Sequence, residues 1–273
     1  MAKRIEFTAR LVANKALAEG QRLLTFACPE VAATARPGQF AALATKTFLR
    51  RPLGICRVDR EAGLFAVGGR AKGPGMAALL TLEPGAEVSV LAPLGKGFDW
   101  QPGDTIIACG GGTGVFPLYF LMAEARAAGC RTAVALGFRD RQQAILQREF
   151  AAVTDRCLYA AETGGLDLTG TAVTALDVLL KEFAVPKAAD DKARPGRVHL
   201  VACGPTPMMQ AAAGRAQAAG LPCQVSLEER MACGVGLCLG CACAVKDRSE
   251  RGSHYVRCCK EGPVFRADEV VWE

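Results

Sequence analysis

Short apolar runs broken by proline and glycine turns fill residues 1–100. Arg22-Leu23-Leu24-Thr25-Phe26 and Leu64-Phe65-Ala66-Val67 read as strands. Between such runs lie the turns Arg36-Pro37-Gly38-Gln39-Phe40, Glu83-Pro84-Gly85 and Ala92-Pro93-Leu94-Gly95. Strands at this spacing predict a small antiparallel barrel. Helical patterning here is confined to a short stretch near Met76–Leu82.

After Gln101-Pro102-Gly103-Asp104 the period changes. Thr105-Ile106-Ile107-Ala108-Cys109 predicts a buried strand, and a glycine cluster follows it. A helix is expected over Pro117–Ala128, a strand over Thr132–Phe138, a helix over Val173–Phe183, a strand over Arg197–Cys203 and a helix over Met208–Ala219. Alternation of this kind predicts a parallel sheet. Pro186–Gly196 is polar and reads as a surface excursion. From Cys223 onward cysteines dominate and no regular element is assigned. The expected organisation is an α+β multidomain chain: a barrel over 1–100, an α/β domain over 101–222 and a small module over 223–273.

The chain has 273 residues, 51% hydrophobic and 22% charged, enough for a buried core. Its net charge of +6 is scattered rather than clustered, so nucleic acid is not the expected partner. Met1-Ala2-Lys3-Arg4-Ile5-Glu6 turns polar at once and no long apolar stretch occurs, so neither a signal peptide nor a membrane span is expected. Of 13 cysteines, six (Cys233, Cys238, Cys241, Cys243, Cys258 and Cys259) crowd the C-terminal end. An odd count without a signal peptide argues for a reducing, cytoplasmic setting and a metal or cluster site. With only His199 and His254, three-histidine zinc chemistry is excluded.

Cys233-Gly-Val-Gly-Leu-Cys238-Leu-Gly-Cys241 has the C-x4-C-x2-C spacing of a plant-type [2Fe–2S] loop. Four thiolates must converge on one small rhomb, so the chain has to wrap tightly. Gly234, Gly236 and Gly240 permit left-handed turns and let N–H groups approach the sulfides. The fourth ligand is Cys258 or Cys259, since adjacent side chains point apart. Cys243 reads as packing. A zinc site or a plain redox pair also uses C-x2-C, although a zinc ribbon needs a second such knuckle.

Two further constellations suggest phosphate binding. Arg51-Pro52-Leu53-Gly54-Ile55 sits at the end of an apolar strand-like stretch, and an arginine before proline is held extended, ready to fork to a phosphate. Gly68-Gly69-Arg70-Ala71-Lys72-Gly73-Pro74-Gly75-Met76 offers backbone N–H groups and a helix start to a pyrophosphate. Glycine-rich turns also serve simply as turns. In the second half, Gly110-Gly111-Gly112-Thr113-Gly114 and Cys203-Gly204-Pro205 each follow a strand, where a parallel sheet binds dinucleotides. Arg139 and Arg141 follow the second strand there, so this loop leaves NAD and NADP both open.

Taken in order, these motifs resemble the ferredoxin reductase superfamily, and most closely the electron-transfer subunits of NAD-dependent (class 1B) dihydroorotate dehydrogenases. The most specific stretches are Glu229-Arg230-Met231-Ala232-Cys233-Gly234-Val235-Gly236 and Cys259-Lys260-Glu261-Gly262-Pro263-Val264-Phe265. The resemblance implies an FAD barrel, a Rossmann-like NAD domain and a [2Fe–2S] module with Cys259 as the fourth ligand. It places Arg51 to Gly54, Arg70, Gly75 and Met76 against FAD, and Cys203 near the nicotinamide ring. It further implies electron transfer from a separate FMN-containing catalytic subunit, in a heterotetramer serving pyrimidine biosynthesis. Two positions depart from the family pattern: Gly54 stands where serine is usual and Met76 where threonine is usual, which removes two hydroxyls near the flavin.

Overall fold

The computed structural model describes residues 5–183, 196–247 and 252–272. The polar start at Met1–Arg4 and the excursion expected at Pro186–Gly196 fall, except for Gly196, outside these residues. Strands β1 (Glu6–Ala18), β2 (Gln21–Ala27), β3 (Phe40–Leu43), β4 (Arg51–Asp59), β5 (Leu64–Arg70) and β6 (Glu87–Leu94) close into a barrel in the order β1-β2-β5-β4-β3-β6. Phe26 and Phe65 stack at 5.5 Å in its centre, among fully buried Leu11, Leu24, Leu43 and Ile55. The Ala, Leu and Lys of β1 carry helical propensity, but pairing with β2 on one side and β6 on the other holds the segment extended. Helix α1 (Pro29–Thr34) was not legible, because six residues are too few to show a period.

Two expectations here need correction. Arg51 to Gly54 open β4 rather than ending the preceding strand, since the chain turns between β3 and β4. Helix α2 runs over Gly73–Leu80, so Gly73 and Gly75 lie in the helix and not in the loop before it. Pro74 accounts for the early start, because its fixed φ suits the first turn.

The second half is a seven-stranded sheet. It comprises β7 (Thr105–Gly111), α3 (Val115–Ala127), β8 (Arg131–Asp140), α4 (Gln147–Val153), β9 (Arg156–Thr163), β10 (Leu168–Thr169), α5 (Ala172–Phe183), β11 (Val198–Cys203), α6 (Thr206–Ala218) and β12 (Cys223–Ser226). The cysteine segment then forms β13 (Ala242–Lys246), β14 (Ser253–Arg257) and α7 (Cys258–Glu261), and β15 (Val264–Arg266) returns to the sheet. The strand order is β10-β9-β8-β7-β11-β12-β15, parallel except where β15 runs against β12. Helix α3 begins two residues before the expected Pro117, because Gly112–Gly114 form a 3-10 turn that feeds straight into it. Strand β8 extends to Asp140, so Arg139 stands within the strand rather than after it.

The tail is stitched to both halves. Lys96 N donates to Gly262 O at 2.6 Å, Leu227 N donates to Pro263 O at 2.9 Å, and Gln224 Nε2 donates to Asp99 O at 2.7 Å. The first turn of α3 reaches the barrel directly. A Cβ on Gly68 would stand 2.1 Å from the Phe116 ring, and one on Gly54 would stand 3.1 Å from Pro117.

Candidate functional site

Barrel, sheet and tail meet around a cavity of about 1060 Å³. That is above the roughly 300–1,000 Å³ usual for one small ligand. From the barrel it is lined by Arg51, Pro52, Leu53, Gly54, Gly68, Gly69, Arg70 and Met76, and from the sheet by Gly111, Gly112, Thr113, Cys203, Gly204 and Pro205. Four of the expected residues do not line it. A Cβ on Gly75 would sit 2.2 Å from the Arg51 guanidinium, and one on Gly114 would sit 2.2 Å from Cys203 O. Gly110 faces Leu118 and Leu136, and Gly73 is exposed at the start of α2 with φ +75°.

The barrel side suits an anionic ligand. Arg51 is anchored by donating to Thr47 Oγ1 at 3.0 Å, which lays its guanidinium over the start of α2. Arg70 and Lys72 add two cations to the same wall. A pyrophosphate there would meet a forked donor, a helix start and open backbone. The hydroxyls missing at Gly54 and Met76 have structural counterparts: Pro117 occupies the space a larger residue 54 would need, and the Met76 methyl covers Gly69, where a Cβ would stand 2.5 Å away.

The sheet side holds the titratable groups. Burial pushes the Cys203 thiol up to about 12, so it stays protonated. Glu228, just past β12, accepts from Thr113 Oγ1 at 3.5 Å. Loss of solvent around its carboxyl raises its pKa above the ordinary range, with Thr113 and Lys72 opposing the shift.

The cysteine segment sorts its thiols into three pairs. Cys233 and Cys238 lie within hydrogen-bond reach of each other, as do Cys241 and Cys259, and the Cys259 N–H donates to Cys241 Sγ at 3.4 Å. Backbone N–H groups of Val235 and Leu237 point at Cys233 Sγ from 3.5 and 3.3 Å, and that of Gly240 at Cys238 Sγ from 3.5 Å. Burial alone would raise the Cys233 thiol, but these donors and Cys238 outweigh it and bring it down to about 6. The third group is separate: Cys258 and Cys243 hydrogen-bond to one another, and that contact together with burial pushes Cys258 up.

Among the described residues no three His, Cys, Asp or Glu side chains converge as a single metal ion would require. The thiols instead stand two and two, with N–H donors aimed at sulfur, which suits a two-iron cluster held by Cys233, Cys238, Cys241 and Cys259. Gly234 and Gly236 take the left-handed φ expected of them (69° and 83°), but Gly240 does not. Leu239 takes it instead, at 58°. Arg257 clamps the arrangement. Its guanidinium grips Glu261 through Nε at 3.1 Å and NH2 at 2.6 Å, while NH1 donates to Gly236 O at 2.9 Å. Cys238 is exposed, flanked by Leu237 (82% exposed) and Leu239 (64%).

Residues 228–271 match the iron-sulfur cluster binding domain of dihydroorotate dehydrogenase B. A dihydroorotate dehydrogenase B (NAD(+)) electron transfer subunit of Geobacillus thermodenitrificans is 36% identical over 268 residues, covering 96% of each chain. A protein of the same name from Desulforamulus reducens is 34% identical and covers 98% of each. The chain belongs to this family. Among solved structures, one of an NADH-dependent reduced ferredoxin-NADP oxidoreductase superposes with a TM-score of 0.81 at 28% identity, over 97% of this chain and 90% of that one. The cytochrome b5 reductase domain of Ulva prolifera nitrate reductase shares the fold (TM-score 0.60, 18% identity, 79% of this chain and 93% of that one).

Within this family frame, several cavity residues escaped the sequence reading. Phe116 and Pro117 occupy the turn after the glycine loop, while Glu162 and Glu228 lie at strand ends. The rule that a parallel sheet binds at its carboxyl edge would have pointed to the last two, had β9 and β12 been recognised.

Proposed function

We propose that this chain is the electron-transfer subunit of a dihydroorotate dehydrogenase, linking an FMN-containing catalytic subunit to NAD⁺ through a [2Fe–2S] cluster and FAD. The carrying observation is the meeting of three units at one cavity: barrel glycines and cations, the glycine turns of the sheet, and tail residues Met231 and Pro263 in the wall. We assign the units to 1–100 (FAD), 101–222 (NAD) and 223–273 (cluster). When bound, such groups supply the interconversion of a two-electron hydride and single electrons. Arg51, Arg70 and Lys72 bind the flavin pyrophosphate, while Gly111, Gly112 and Gly204 let backbone approach the dinucleotide. The Cys203 thiol stays neutral beside the ring. Cys233, Cys238, Cys241 and Cys259 hold the irons.

The catalytic subunit docks over Leu237, Cys238 and Leu239, where the cluster loop is least covered, and two copies of each chain form a heterotetramer. All 13 thiols are free, in keeping with the cytoplasm, and among the described residues no helix is long and apolar enough to cross a membrane. Anaerobic purification should give flavin, iron and sulfide, with NADH-dependent dye reduction and no dihydroorotate oxidation by this chain alone. Zinc without iron, or no flavin, would refute the reading. The 0.81 TM-score to the ferredoxin-NADP oxidoreductase favours one other reading, a reductase subunit serving a ferredoxin-linked complex. The partner that co-purifies with the native chain separates the two.

A further inference from the structure

Gln21, the first residue of β2, buries its carboxamide at the rim of the barrel, where the residue is 4% exposed. A buried amide needs a partner. Gln21 finds one in the other unit: its Nε2 donates to Gln143 Oε1 at 2.9 Å. Both side chains line the cavity. The ion pairs Lys15–Glu149 at 3.3 Å and Arg60–Glu124 at 2.7 Å also join barrel to sheet, but none of those four residues lines it. The register places the glutamine bond within the cavity. Gln21 pairs with Arg70 across β2 and β5, and Arg70 is one of the cations in the wall. The sheet end is fixed as well. Gln143 closes the Arg141–Gln143 turn, and its backbone N donates to Asp140 Oδ1 at 3.0 Å. A neutral hydrogen bond from a held turn therefore spans the gap between barrel and sheet beside Arg70.

We propose that Gln21 and Gln143 form a strap that retains the flavin, taking over part of the grip that hydroxyls at positions 54 and 76 would supply. The inference rests on the reading that the barrel cations hold a flavin pyrophosphate. Gly54 and Met76 offer that ligand no hydroxyl, and Pro117 and the Met76 methyl fill the space beside them. The barrel is left with cations and backbone, all on one side of the gap. A bond that crosses the gap must break before a ligand seated under it can leave, so its contribution falls on release rather than on entry. A resident group gains from such a strap, whereas a ligand exchanged at every turnover would be slowed by it. Neither carboxamide is charged, so the strap does not compete with the pyrophosphate for Arg70. One neutral hydrogen bond changes an equilibrium about three- to tenfold, which sets the size of the effect.

The test uses the full chain purified with its flavin. Release is followed as the rise of flavin fluorescence on dilution, with iron per chain measured alongside. Gln143→Leu keeps the bulk and removes the acceptor, and Gln21→Leu removes the donor. Each should release flavin about three- to tenfold faster than the wild type. The double variant should be no faster than either single one, because both remove the same bond. Gln143→Glu keeps an acceptor at the same length and should release flavin at the wild-type rate. Iron per chain should stay unchanged throughout, which a general loosening of the fold would not allow. Wild-type release in both leucine variants, or release from Gln143→Glu as fast as from Gln143→Leu, would overturn the inference and leave the flavin reading standing. A chain that carries no flavin and takes up none from added FAD would overturn that reading and this inference with it.

Discussion

Between barrel and sheet, room for ligands is made by absent side chains; in the cysteine segment, by contrast, the site is made by backbone N–H groups turned onto sulfur. Gly54 and Gly68 let the barrel come up against Pro117 and Phe116 of α3, while Gly69, Gly75 and Gly114 lie against Met76, Arg51 and Cys203 of their own unit. The cysteine loop owes its form to left-handed turns at Gly234, Gly236 and Leu239 and to the Arg257 clamp. The two regions should therefore fail differently: substitutions in the cleft act on packing, those in the tail on ligation.

The largest effect separates the thiols. Serine at Cys233, Cys238, Cys241 or Cys259 should take bound iron to near zero, whereas Cys243→Ser and Cys258→Ser should keep it, read by iron per chain and visible absorbance. Loss in Cys258→Ser with retention in Cys259→Ser would reverse the grouping. Next comes the cleft. Gly114→Ala drives a methyl against Cys203 O and should destabilise the chain by about 1–3 kcal/mol in denaturant unfolding, with iron content per folded chain unchanged.

A smaller effect is expected at the clamp. Arg257→Gln breaks the bidentate grip on Glu261 and the bond to Gly236 O, and should speed iron loss to a chelator severalfold while flavin is retained. The smallest is at Glu228. Its folded pKa is raised above the ordinary value of 4.5, so ionising it costs stability at neutral and higher pH. Glu228→Gln should thus be the more stable form at pH 8, by less than about 1 kcal/mol because the residue stays partly exposed. The advantage should fade as the pH falls toward 4.5. A gain that grows on acidification would show the sign to be wrong.

Much of this architecture was legible in the sequence. The runs at Thr105–Cys109 and Arg197–Cys203 are apolar enough to announce buried parallel strands, and the C-x4-C-x2-C spacing marks its loop without any fold. What stayed hidden depends on distant partners. Glu6–Ala18 becomes a strand only because two other strands flank it. Strands β13 to β15 are short pieces whose pairing and register come from contacts across the tail. Glu162 and Glu228 looked like ordinary surface acids until the sheet brought their strand ends to one cavity. The separation of Cys258 from Cys259 rests on which way two adjacent side chains point, and no spacing rule encodes that.

The central claim is that the cluster and the dinucleotide cleft form one electron path through this chain. It is tested most directly by mixing wild-type or Cys259→Ser chain with the FMN-containing catalytic subunit and following dihydroorotate-dependent reduction of NAD⁺. The account predicts that the wild type supports it, and that Cys259→Ser abolishes it while keeping NADH-to-dye reduction at the flavin. Undiminished NAD⁺ reduction by a Cys259→Ser chain devoid of iron would contradict it.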